Sequence, residues 1–248
     1  MTKSTNVYIQ RMKRKKLIKK IILLIILLIA LAIVVAQKTQ FFIVDTIVYD
    51  GDRLITGEFV NSSIDNVKGN NIFTVNSEQL IKNVMKNPYI DSITISKKLP
   101  RTLKVNVKEK EGIYYEQTQD IYQIISSDLH LLEKVNSLDG KTLIEVKGLD
   151  FKDKEVGMKI EDNTRLEKVL DLLYRAQKKM QDNNVGVSIT AIDVSDMSNI
   201  RVYFGNIEVM IGNDSDLTKK LSDAMKIYIE AKPTEYIKVN HKGSPDFK

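Results

Sequence analysis

Sixteen consecutive residues, Ile21 to Ala36, read IILLIILLIALAIVVA without one polar side chain. A helix apolar all the way round has no face to offer water, so it must be buried in protein or sit in lipid. At about 1.5 Å per residue the run makes roughly 24 Å of helix, a little short of a hydrocarbon core of about 30 Å. Leu17 and Ile18 lengthen the apolar surface, and Lys19 and Lys20 can reach the headgroups with their ammonium groups. The run therefore predicts a transmembrane helix over residues 21–37. A cleaved signal core is the competing reading, with Val34 and Ala36 as small residues ahead of a cut. Against it stand the length of the Leu/Ile run and the two aromatic residues, Phe41 and Phe42, that follow and suit a membrane interface.

Charge orients the span. Residues 1–20 carry Lys3, Arg11, Lys13, Arg14, Lys15, Lys16, Lys19 and Lys20 and no acid. Basic residues stay on the cytoplasmic side, so 1–20 is expected as a cytoplasmic tail, with everything after Gln37 outside a single-pass, N-in membrane protein. Of 38 Lys and Arg in the 248 residues, eight are spent in that tail, and the other 30 face 32 Asp and Glu. The body is thus near neutral, and the net charge of +6 is no sign of a nucleic-acid surface. With no cysteine, an exported part of roughly 200 residues must hold itself together by packing.

Residues 41–110 read as a first small domain. Ile43 to Tyr49 is β-branched and aromatic and stops at Asp50-Gly51, which predicts a strand and a turn. Thr56 can cap a helix that turns Phe59, Val60 and Ile64 inward, and Asn76 or Ser77 a second one that buries Leu80, Ile81, Val84 and Met85 before Pro88 closes it. Two alternating strands follow, Ile90 to Lys97 and Thr102 to Lys108, around a Leu99-Pro100-Arg101 corner.

The order β-α-α-β-β behind a membrane span resembles a POTRA domain, a small protein-binding module. Four pieces sharpen the resemblance: Phe42-Ile43-Val44 entering a strand, Asn71-Ile72-Phe73 between helices, Pro88-Tyr89-Ile90 before a strand, and Leu99-Pro100-Arg101-Thr102-Leu103-Lys104-Val105 ahead of Val107-Lys108-Glu109. In this order behind a signal anchor they are similar to the bacterial division proteins called FtsQ or DivIB. Lys110 departs from the arginine usual in the family and leaves the charge unchanged.

Residues 111–240 read as a mixed β-domain with two main helices, so the fold class is α+β. Ile113 to Tyr115 and Ile121 to Ile125 predict a hairpin, with short strands near Leu129 to Leu132 and Thr142 to Val146. Thr164 and Glu167 form a possible capping box ahead of Leu166, Val169, Leu170, Leu173, Ala176 and Met180 at helical spacing. Ser188 to Val194 predicts a strand, and Arg201 to Phe204 joins Ile207 to Ile211 through Gly205-Asn206, a two-residue hairpin turn. Ser215 or Asp216 starts a helix bearing Leu217, Leu221, Ala224, Met225 and Tyr228 on one face, ended by Pro233. A last strand, Tyr236 to Val239 and on toward His241, precedes a polar, flexible tail over 241–248. Asn206-Ile207-Glu208-Val209, Gly212 before Lys220-Leu221, and Tyr236-Ile237 resemble the β-domain of the same family. Ser126 and Leu129 depart from the aspartate and glycine it often has in a turn, and Lys238 from an aspartate common after the tyrosine pair.

The residues of a hydrolase do not assemble in the sequence. There are two histidines, His130 and His241, no cysteine, and no G-x-S-x-G element. His130, between Leu129 and Leu131, reads as a strand residue facing solvent. Zinc would want clustered ligands, Asp193 and Asp196 read as turn formers, and no glycine-rich phosphate loop is present. No catalytic residue, cofactor or metal is therefore expected. Lys97, Lys98, Arg101 and Lys104 cluster at one corner and read as a solvated face, with anionic headgroups or an acidic partner as the alternative.

The resemblance implies a non-enzymatic scaffold of the divisome at the division septum. It implies partners of the FtsL and FtsB/DivIC type, single-pass coiled-coil proteins, with the septal peptidoglycan synthase machinery nearby. It also implies strand addition at an unpaired edge of the last strand, with Tyr236, Ile237, Lys238, Val239 and Asn240 as the partner-binding residues. Completing the internal sheet is the competing role for that strand. A POTRA-type export or sporulation scaffold and a membrane-anchored cell-wall enzyme are the alternative functions.

Overall fold

A computed structural model of the chain describes residues 3–51, 55–240 and 244–248. His241 and the side chains of Lys3, Arg11 and Lys13 lie outside the described residues. The apolar run is helical, and the helix α1 (Lys3–Lys38) extends well to its N-terminal side, through the basic segment. Residues Arg14–Lys38 are long and apolar enough to cross a bilayer, and none of the side chains described there is buried in the protein.

Contacts divide the chain into two units, Met1–Val84 with Ile93–Val107, and Met85–Ser92 with Lys108–Lys248. Beyond α1, the elements run β1 (Thr46–Gly51), α2 (Gly57–Ile64), α3 (Ser77–Val84), β2 (Ile90–Lys98) and β3 (Thr102–Glu109), the order that the sequence predicts. β3 lies between β1 and β2 and runs parallel to β1, in a register from Thr46 opposite Thr102 to Gly51 opposite Val107. Leu103, Val105 and Val107 alternate inward, and Val60, Ile64, Leu80 and Val84 of the helices are buried with them. Asn76 caps α3 by accepting from the Gln79 amide at 3.1 Å. Two expected core residues are exposed instead, Phe59 at 38% and Met85 at 43%. The buried stripe of short α2 is the i, i+4 pair Val60 and Ile64, which leaves Phe59 about 100° round the helix, and α3 ends before Met85.

Among the described residues, the larger unit carries one mixed sheet of nine strands: β4 (Gly112–Thr118), β5 (Ile121–Ser126), β6 (Leu131–Val135), β7 (Ile144–Lys147), β8 (Ile189–Asp193), β9 (Ile200–Phe204), β10 (Ile207–Gly212), β11 (Tyr236–Lys238) and β12 (Asp246–Phe247). Its spatial order is β12-β11-β10-β9-β8-β7-β4-β5-β6. Two helices, α4 (Thr164–Asp182) and α5 (Leu217–Ala231), share one core with it, through Leu166, Leu170 and Leu173 of α4 and Leu217, Leu221 and Ala224 of α5. In β9 the residues Ile200, Val202 and Phe204 are buried, and Arg201 and Tyr203 between them are half-exposed. Asn163, rather than Thr164, caps α4, its side chain accepting from the Leu166 amide at 3.2 Å. Asp216 stands before α5 with φ 51 and makes no side-chain cap bond. A buried glutamine unforeseen in the sequence, Gln177, accepts from the Ile189 amide at 2.6 Å and fixes the start of β8 against α4.

Leu129 ends the turn between β5 and β6 with φ 62, yet its side chain is fully buried. Ser126 Oγ accepts from the His130 amide across the same turn at 3.0 Å. A left-handed leucine costs about 1–2 kcal/mol, whereas removing a buried leucine side chain costs about 2–5 kcal/mol before the added chain entropy of glycine. Leu129→Gly should therefore destabilise the unit by a net of about 1–3 kcal/mol, read as a lower urea midpoint. A raised midpoint would show that backbone strain outweighs the burial.

Candidate protein-interaction edge

β11 is the strand on which the expected partner-binding residues lie. It runs parallel to β10, with Tyr236, Ile237 and Lys238 opposite Glu208, Val209 and Met210. The Val239 amide continues the ladder by donating to the Met210 carbonyl at 3.1 Å. Ile237 and Val239 are buried in the shared core. Tyr236 and Lys238 are half-exposed and Asn240 is exposed. The five residues thus divide: two are buried in the core, and three are half-exposed or exposed.

The other edge of β11 is not unpaired, which corrects the expectation of a free edge, and residues 246–248 of the tail lie along it. β12 pairs with it antiparallel, Phe247 opposite Ile237 and Asp246 opposite Lys238. The Lys248 main-chain oxygen accepts from the Thr234 and Glu235 amides at 2.9 and 2.7 Å, and the Lys248 amide donates to the Tyr236 carbonyl at 3.1 Å. Edge groups of a sheet seek a partner strand, and here the chain's own end supplies it. The cover is short and exposed: β12 has two residues, both exposed, and one ion pair, Lys248 to Glu235 at 2.8 Å, lies in solvent-accessible side chains.

Gly212, at the end of β10, was legible only as part of a family pattern. It has φ +74, and a Cβ there would come within 2.8 Å of the Asn240 Cβ. Glycine at 212 is what lets the chain after β11 lie against the sheet. Nearby, Arg165 of α4 holds Asp214 through two bonds, 2.6 and 3.1 Å, and keeps that carboxyl below its usual range.

Ser126, Asp128 and His130 do come together, although in an order that cannot make a nucleophile. The Ser126 hydroxyl donates to Asp128, and His130 Nδ1 lies 3.0 Å from the same carboxylate. A triad needs the imidazole between serine and acid so that it can take the hydroxyl proton. Here the carboxylate is in the middle and is bound also by Lys110, which lies 3.7 Å from Asp91. His130 is half-buried rather than turned to solvent, and forms an isolated bridge to Lys159. Asp193 and Asp196 are turn formers, accepting from the Ser195 and Ser198 amides at 3.0 and 2.8 Å. Among the described residues, no three His, Asp or Glu side chains converge to hold a metal ion.

Residues 42–110 match the family described as POTRA domain, FtsQ-type. Over 248 aligned residues, 98% of this chain and 96% of the other, the sequence is 31% identical to the cell division protein DivIB of Clostridium botulinum strain Hall. The chain belongs to the FtsQ/DivIB family of cell division proteins. It is similar also to DivIB of Clostridium acetobutylicum, 32% identical with 86% of this chain and 85% of the other covered. FtsQ of Syntrophotalea carbinolica is more distant, at 22% identity over 78% and 68% of the two chains. FtsQ/DivIB proteins are membrane-anchored, non-catalytic division proteins, and the present chain is a cell division scaffold with an apolar N-terminal helix to match. A cell-wall enzyme has no support, in agreement with the misordered Ser126, Asp128 and His130.

Two outcomes follow for this FtsQ/DivIB unit. Gly212→Ala forces a side chain into a left-handed backbone and into Asn240, and should speed amide exchange at Ile237 and Val239 while leaving β4 unchanged; equal protection in both would refute the close approach. Burial would raise the Asp128 carboxyl, but Lys110 and Ser126 override it and lower it from 3.8 to about 2. Its contribution to stability is complete above pH of about 4 and is lost as pH falls toward 2. Urea midpoints should decline across that window, and Asp128→Asn should flatten the decline.

Proposed function

We propose that the chain is a non-enzymatic divisome scaffold that accepts a strand from a membrane division partner at the outer edge of β11. The basic residues 1–20 are the cytoplasmic tail, the span covers 21–37, and residues 41–110 and 111–240 are the two domains outside, held at the septum. Partners of the FtsL and FtsB/DivIC type fit this reading, with the septal peptidoglycan synthase machinery alongside. The observation that carries it is the weakness of the cover on β11. Its inner edge is anchored by Ile237 and Val239 in the core, whereas its outer edge is held by a two-residue strand on the surface. A longer incoming strand makes more main-chain bonds at the same edge, each contributing about 0.5–1.5 kcal/mol net, and so displaces residues 246–248. Tyr236 and Lys238 are then the side chains a partner reads.

Capture of the partner ectodomains by the folded part tests the exchange. Deleting residues 241–248 should leave the unit folded and tighten binding, by roughly tenfold if the lost cover contributes about 1.4 kcal/mol. Tyr236→Pro removes an outward amide without touching Ile237 or Val239 and should abolish capture, as should truncation before Tyr236. Tight binding retained both by the chain truncated before Tyr236 and by Tyr236→Pro would place the interface elsewhere.

A further inference from the structure

The end of the first unit nearest α1 combines exposed apolar and basic side chains. α1 ends at Lys38, and a short 3-10 turn, Gln40–Phe42, follows at once. The loop between α2 and α3 is fastened to the helix end: the Asn71 side-chain amide donates to the carbonyls of Ala36 and Gln37 at 2.9 and 3.1 Å. Those are terminal helix carbonyls with no partner within the helix. Asn71 thereby places its neighbour Phe73 beside the end of the apolar run. Phe73 packs on Phe42, and Phe42 on Phe41, with ring centroids 5.0 Å apart in each pair. Phe41 remains 62% exposed and Phe73 45% exposed.

The Leu99-Pro100-Arg101 corner is brought to the same end by the parallel pairing of β1 and β3. Thr46, the first residue of the strand that leaves the membrane helix, lies opposite Thr102, the first residue after the corner. Arg101 Nε donates to the Ile43 carbonyl at 3.3 Å, and the Asp45 amide donates to the Arg101 carbonyl at 3.0 Å. Leu99 is 58% exposed. The basic cluster seen in the sequence divides here. Lys97 donates to the Val75 carbonyl at 2.7 Å and Lys104 pairs with Asp50 at 3.2 Å, whereas Lys98 is exposed and Arg101 lies 4.0 Å from Asp45.

We propose that this end of the POTRA unit, formed by Phe41, Phe73, Leu99, Lys98 and Arg101, docks in the headgroup layer of the bilayer that α1 spans. Aromatic rings beside basic side chains are the composition that a membrane interface favours. The patch is continuous with the span, since one hydrogen-bonded clamp and three rings in edge-on and tilted contact join them. It rests on the reading of α1 as a membrane span, and it makes the first domain a seated one rather than one swinging on a linker.

The chain has no tryptophan, so single substitutions report without background. The full chain is reconstituted in vesicles of phosphatidylglycerol and phosphatidylethanolamine that carry a lipid brominated near the headgroup. Phe73→Trp and Leu99→Trp should each show blue-shifted emission and strong quenching, approaching that of Val35→Trp within the span. Water-like, unquenched emission from residues 73 and 99 beside a quenched Val35→Trp would overturn the docking while leaving the span intact, and would assign the patch to a protein partner. Unquenched Val35→Trp would remove the span itself, and the docking with it.

Discussion

Burial across one face of the nine-stranded sheet holds the larger unit together, because the chain has no cysteine to staple it. α4 and α5 lay Leu170, Leu173, Leu217 and Leu221 on Ile192, Val202, Val209 and Ile237, forming one continuous core. That core reaches to β11 and stops there. Ile237 is fully buried and Val239 nearly so, whereas both residues of β12 are exposed. The stable part of the molecule thus ends one strand before the sheet does. The proposed strand exchange rests on that arrangement, a core-anchored edge under a short, exposed cover.

Long-range pairing decides where sequence reading succeeds. Local signals placed nearly every element, since alternation at Leu103, Val105 and Val107 and helical spacing at Leu166, Val169, Leu170 and Leu173 depend only on neighbours in the chain. The turn at Gly205-Asn206 was equally local, and Gly205 takes the positive φ that it requires. What failed needed knowledge of a distant partner. Phe59 looks apolar in any local window, yet it faces out because Val60 and Ile64 already fill the interior. Asp246 and Phe247 sit in a polar stretch with no strand signal, and they pair with the edge of β11, where the Tyr236 hydroxyl also donates to Asp246 at 3.3 Å. Of the candidate site the strand and its inward residues were legible, and its occupied outer edge was not. Gln177, a polar residue on an apolar stripe, gave no hint that it would meet the Ile189 amide.

The corner around Lys110 shows why residue type alone is a poor guide to chemistry. Serine, aspartate and histidine meet there, and their order decides that they brace a turn rather than catalyse. The turn is built from a hydroxyl, that of Ser126, which grips both Asp128 and the His130 amide, and from Leu129, whose burial holds an unfavourable backbone angle. α1 and β11 are alike in another respect: in each, main-chain groups left over by the element, the last carbonyls of α1 or the outer edge of β11, are satisfied by a segment outside it.

A division role exercised from the membrane is tested most directly by localising an N-terminally tagged copy while the native protein is depleted. A band at the septum, with filamentation as the native protein is lost, is the predicted result. A uniform membrane signal with normal division would contradict it and move this scaffold to another membrane process.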